Sequence, residues 1–235
     1  MPDARAVLRD RLAEVEGRVQ RACTRAGRDR GDVTLVAVTK TVSAEVAALL
    51  PELGVVNLGE SRAQELWRKS SLVKGDVRWH LVGHLQRNKI DRTMPLVSLL
   101  HSVDSSRLFS ALEEWCRQHQ RIANVLLEVN ASREPNKHGF KPEELTAFLH
   151  EIHSSKQVHV RGLMTMAAYQ EDPERCRPTF VELRHLRDDL RGKVRLPHEL
   201  VHLSMGMSND FEVAIEEGAT LIRIGTALFE ELEET

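Results

Sequence analysis

Apolar positions recur along this chain in two alternating rhythms. The first is helical. Leu8, Leu12, Val15, Val19 and Ala22 fall three or four residues apart, with arginines and glutamates between them. Gly27 follows as a natural helix stop, so residues 1–27 are expected to form a helix packed on what comes after. The second rhythm is a series of short, nearly uninterrupted apolar runs at 33–39, 54–58, 77–83, 96–103, 124–130, 158–164, 199–203 and 220–225. Runs of this kind suit strands buried on both faces of a parallel sheet.

Helical patterns separate the runs. Ser43, Ser61 and Ser105 stand where an N-cap would begin three of them, and Pro142 occupies a first helical position before Leu145, Phe148 and Leu149. Phe180, Leu183, Leu186 and Leu190 stripe another, and 211–217 forms a short one closed by Gly218. Strand and helix alternating in this way imply parallel strands with right-handed crossovers. Eight units in 235 residues fit a closed (β/α)8 TIM barrel better than an open sheet. No linker or low-complexity stretch divides the chain, so residues 1–235 are expected to form a single α/β domain.

Composition narrows the class further. A formal net charge of −2 gives no reason to expect nucleic acid or an anionic membrane as partner. Cys23, Cys116 and Cys176 are far apart, which argues for reduced thiols over a disulfide framework or zinc cluster. The opening residues lack a signal-peptide core and no apolar stretch reaches membrane-spanning length. A cytoplasmic protein is expected.

Barrel enzymes carry their chemistry at the C-terminal ends of the strands, and here the polar and glycine-rich residues gather at the run ends. The first run closes on Lys40. A lysine drawn toward low dielectric becomes an amine nucleophile able to form a Schiff base with an aldehyde, although a lysine there can also simply extend into solvent. The seventh run ends in Ser204-Met205-Gly206-Met207-Ser208 and the eighth in Gly225-Thr226. Turns in these two places usually cradle phosphate; plain helix capping is the alternative, and for Ser208 or Asp210 alone the better one. Arg223 sits inside an apolar strand and needs a partner, either a core carboxylate or a ligand. Ser61, His84, Asp104, Asn130, Lys137 and Met164 also lie at or near run ends. Eleven histidines show no metal-binding spacing, and no hydrolase elbow or Walker loop occurs.

The segments LVAVTK, LGESRAQEL, WHLVGHLQRNK, HSVD, VNASREPNKHGF, RGLM and LSMGMSNDFEVAIEEGATLIRIGTALF, in this order, resemble the pyridoxal phosphate homeostasis protein family, a single-domain relative of the alanine racemase barrel. The resemblance runs from about Val33 to Phe229. It implies a fold-type III barrel carrying pyridoxal 5′-phosphate as an aldimine on Lys40. It assigns the phosphate to Ser204, Gly206, Ser208, Gly225 and Thr226, and the pyridine nitrogen to Arg223. Ser61, His84, Asn130 and Met164 would support the site from behind, and no metal is implied. The family usually has Asn at the position of Ser61 and Gly at that of Glu230, which is expected to lie past the site.

The resemblance implies a carrier or regulator of the cofactor with no substantial turnover, serving apo-enzymes that depend on it. An amino-acid racemase or decarboxylase is the competing reading. Racemization needs an acid or base on each face, and the only tyrosine, Tyr169, is not expected at a catalytic position. Without the racemase's second domain, a monomer is expected.

Overall fold

The computed structural model describes residues 3–134, 138–195 and 197–232; Lys137 lies outside them. Among these residues eight parallel strands close into a barrel in chain order: β1 Thr34–Val38, β2 Asn57–Glu60, β3 Arg78–Leu81, β4 Val97–Val103, β5 Ala123–Glu128, β6 Val158–Met164, β7 His202–Ser204 and β8 Leu221–Ile224. Strand β8 closes on β1 with Val36 opposite Arg223 and Ala37 opposite Ile224. The expected (β/α)8 barrel is therefore the fold.

Around it run α1 Ala4–Arg25, α2 Ala44–Glu52, α3 Ala63–Leu72, α4 Ile90–Thr93, α5 Ser106–His119, α6 Leu145–Glu151, α7 Arg177–Lys193, α8 Phe211–Glu216 and α9 Thr226–Phe229. Their buried stripes pack on the outward strand residues to form the main core. A smaller cluster of Val36, Leu99, Leu126, Met164 and Leu221 fills the barrel itself. Ser43 and Ser105 cap α2 and α5 as expected, each accepting from the backbone N–H three residues on.

Helix α1 lies against the end of the barrel wall that carries α8 and α9. Leu8, Val19 and Ala22 are fully buried, and a buried leucine is worth roughly 1.5–3 kcal/mol. Its polar side is pinned as well. Arg18 Nε donates to Glu212 at 2.7 Å with its guanidinium 4.6 Å from the Phe211 ring centre, and Arg25 Nε donates to Glu216 at 2.7 Å.

Two expectations need correction. The second strand was expected at 54–58, but Val55 N bonds back to Leu50 O at 2.9 Å and Gly54 has φ +86°, so this stretch is the exit from α2. Strand β2 starts at Asn57 and runs on through Glu60, a charge tolerated there because it is paired (below). Ser61 does not cap α3: Arg62 holds that position without a side-chain bond, and Ser61 turns to the barrel mouth. No helix among the described residues is long and apolar enough to cross a membrane.

Candidate functional site at the mouth of the barrel

Side chains of a strand alternate between faces, and on β1 Val36 faces the barrel interior. Two residues on, Val38 reaches the mouth, and Lys40, two further, continues the same row just beyond the strand. Lys40 is exposed there, the solvent-reaching one of the two placements the sequence left open. It opens onto a cavity of about 690 Å³ at the C-terminal ends of the strands. Ser61, Ser208, Arg223, Gly225 and Thr226 share its wall. One volume thus brings together an amine, a guanidinium and two hydroxyl-bearing turns, and its size is that of a small-molecule site.

The turns are built by side chain-to-backbone bonds. Ser208 Oγ accepts from Gly225 N at 3.3 Å and Ala227 N at 3.1 Å, tying the β7 turn to the start of α9. Asp210 Oδ1 accepts from Met207 N at 2.6 Å, and Asn209 Nδ2 donates to Gln170 O at 2.8 Å, which joins the loop after β6 to the same turn. On the opposite wall the chain at Gly83 passes so close to Ser61 that a Cβ would lie 2.2 Å from the Ser61 carbonyl oxygen.

Arg223 is 5 % exposed and held from below. Nη2 donates to Thr165 O at 2.9 Å and Nη1 to Ser204 Oγ at 2.6 Å. Burial pulls the guanidinium down to about 10, while Asp210 and Glu128 hold it up; it stays cationic at neutral pH. The bonds continue inward: Ser204 Oγ to His101 Nδ1 at 2.8 Å, His101 Nε2 to His80 Nδ1 at 2.9 Å, and His80 Nε2 to Asn57 Oδ1 at 3.1 Å. Only one proton order satisfies every member. A guanidinium can only donate and an amide oxygen only accept, so each link donates away from Arg223 toward Asn57, with both imidazoles neutral. Burial, reinforced for His80 by His202 and Arg78, lowers that ring to about 4. Burial, with the neighbouring His80 and Arg223, also lowers His101 well below its ordinary value.

The other expected site residues are placed beneath and around this cavity. Ser204 is fully buried beneath the cavity, where its hydroxyl serves Arg223 and His101. Gly206 is buried against α8, and Met164 belongs to the cluster inside the barrel. His84 pairs with Asp104 at 2.8 Å and stacks on His138, outside the cavity wall. Asn130 organises the loop after β5, donating to Glu134 O at 2.7 Å and accepting from Glu134 N at 3.2 Å.

Residues 11–232 match the family model of the alanine racemase N-terminal domain. The chain is 43 % identical over 223 residues to the pyridoxal phosphate homeostasis protein of Aquifex aeolicus, covering 94 % of this chain and 97 % of that one. It belongs to the pyridoxal phosphate homeostasis protein family. PipY of Synechococcus elongatus, solved with pyridoxal phosphate bound, is 32 % identical with a TM-score of 0.80, covering 94 % of this chain and 99 % of PipY. An alanine racemase of Clostridium difficile has a TM-score of 0.76 at 17 % identity, covering 94 % of this chain and 56 % of that one. That likeness is of fold alone.

Within this homeostasis family member the cavity also holds residues that the sequence did not assign to the site. Tyr169, 78 % exposed, and Met166 line its rim from the loop after β6. Glu230 lines it too, against the expectation that it lies past the site. The short helix α9 turns the chain back so that Glu230 follows at the mouth. No motif assigned these three residues to the site; loop paths bring them in.

Proposed function

We propose that this chain binds pyridoxal 5′-phosphate covalently through Lys40 and works in homeostasis of that cofactor as a carrier or regulator. The observation that carries the reading is the single cavity shared by Lys40, Arg223 and the 208 and 225–226 turns. When bound, pyridoxal phosphate supplies an electrophilic aldehyde carbon and a ring that withdraws electrons most strongly when its nitrogen is protonated. Lys40 provides the amine for the aldehyde. Ser208 and Thr226 offer hydroxyls, and the adjoining backbone N–H groups offer donors, to a phosphate. Arg223 works against protonation of a ring nitrogen placed before it, because a guanidinium carries donors only. This favours holding the cofactor over running a carbanion reaction on it. The PipY structure with bound pyridoxal phosphate supports the same ligand here. We place the protein in the cytoplasm as a monomer, delivering cofactor to apo-enzymes that need it.

The test uses the purified protein, pyridoxal phosphate and borohydride. A pyridoxyl adduct should form on Lys40, and Lys40→Ala should bind the cofactor without reducible attachment. An adduct on another lysine, or equal reducible attachment in Lys40→Ala, overturns the assignment.

One observation favours the enzyme reading. Tyr169 brings a phenol to the cavity rim, the kind of second acid or base that racemization requires. Exchange of the α-hydrogen of L- or D-amino acids with deuterated solvent separates the two. Turnover at enzyme rates, lost in Tyr169→Phe, would replace the carrier by a racemase.

A further inference from the structure

A second lysine stands directly behind Lys40. Lys69 lies on α3 and is 1 % exposed. Helix side chains lean toward the helix N-terminus, and α3 begins at the mouth, so the Lys69 chain climbs back to the strand ends. There Nζ donates to Glu60 Oε1 at 2.6 Å and to the Thr39 carbonyl at 2.5 Å. Glu60 is fully buried. Its Oε1 also accepts from Thr39 Oγ1 at 2.8 Å, and its Oε2 accepts from Ser61 N at 3.3 Å.

We propose that the buried Lys69–Glu60 pair positions Lys40, fixing the peptide from which its side chain starts and keeping the second amine away from the cavity. The inference rests on the reading of Lys40 as the amine that takes the cofactor's aldehyde. The Thr39 carbonyl and the Lys40 N–H belong to one rigid peptide plane. Holding that oxygen with an ammonium therefore sets the plane that carries Lys40. Thr39 N donates to Gly59 O at 2.9 Å, so the plane before Thr39 is held as well, and the Thr39 hydroxyl is tied to Glu60. The same carboxylate holds the backbone of Ser61 on the cavity wall. Lys40 itself is exposed and long, with many rotamers; its origin is what the protein controls. A buried ion pair is not needed for stability alone, since apolar replacements of similar volume are often as stable. Lys69, buried and paired, presents no amine to an aldehyde.

The test compares wild type, Lys40→Ala and the double variant Lys69→Met/Glu60→Leu. Capture joins Lys40 Nζ to the aldehyde carbon of added pyridoxal phosphate, the carbonyl oxygen leaving as water with two hydrogens from the amine. In the double variant capture should slow roughly ten- to a hundredfold, as a misplaced reacting group does, with inorganic phosphate binding unchanged. Cofactor-free, its backbone amides at 39–43 should exchange hydrogen at least about tenfold faster. A folded double variant with wild-type capture and exchange overturns the proposal. If it does not fold, Lys69→Arg takes its place, keeping the charge while altering the donor geometry; slower capture supports positioning and wild-type capture overturns it. Reduction of wild type that labels a lysine other than Lys40 refutes the Lys40 reading instead, so the two failures are distinct.

Discussion

Ser204 Oγ accepts a hydrogen bond from Arg223 Nη1 at 2.6 Å, inside the barrel and beneath the cavity floor. The serine that the family pattern assigns to phosphate is thus the seat of the arginine. Beyond it the chain of donors runs through His101 and His80 to Asn57.

Ser204→Ala removes the one oxygen that both Arg223 and His101 use. Two buried polar groups lose a partner, so unfolding free energy should drop by about 1–3 kcal/mol, read by denaturant titration at pH 7. Inorganic phosphate affinity should hold. Weaker phosphate binding at unchanged stability would return Ser204 to the phosphate site.

The buried imidazoles make stability depend on pH. His80 is lowered from 6.5 to about 4 in the folded protein, so the unfolded chain binds the extra proton first as pH falls. Its contribution is complete above about pH 6.5 and is lost progressively between there and about pH 4, on the order of 3 kcal/mol over that window. His101, lowered in the same direction, adds to the loss. Denaturant midpoints at pH 7, 5.5 and 4.5 should fall steadily, and His80→Gln should flatten the fall.

Gly206 has φ +91°, and a Cβ there would lie 2.6 Å from Ala214 Cβ and 2.9 Å from Phe211 Cα. Gly206→Ala combines a left-handed backbone penalty with overpacking against α8, together about 2–4 kcal/mol. A thermal scan should show the lower midpoint, with phosphate binding weakened because the β7 turn shifts. A wild-type midpoint would mean that the turn gives way freely.

We take residues 1–235 as one folding unit with α1 part of it, given its buried stripe and its ion pairs to α8. Leu8→Ala should then lower the whole molecule's stability by about 2–5 kcal/mol in a single transition, with fluorescence and circular dichroism coinciding. Separate transitions for helix and barrel would refute this.

Much was legible in the chain alone. Near-continuous runs such as 33–39, alternating with helical stripes, determined a parallel (β/α)8 barrel, because strands covered on both faces leave little polar alternation to read. The gathering of Lys40, Ser208 and Gly225 at run ends pointed to the mouth for the same reason: parallel strands put all their C-terminal ends on one side. What tertiary structure alone decided is which side chains meet. Ser204 and Ser208 look alike in sequence, yet one faces the barrel axis below the floor and the other the cavity, a difference set by the stagger of eight strands. Lys69 meets Glu60 only because its helix folds back along its own strand, and Tyr169 and Glu230 reach the rim by loop paths that no periodicity encodes. The pattern of apolar residues determines layers and direction. Charge pairs and proton order depend on closing the barrel, where distances of a few ångströms between residues far apart in sequence become fixed.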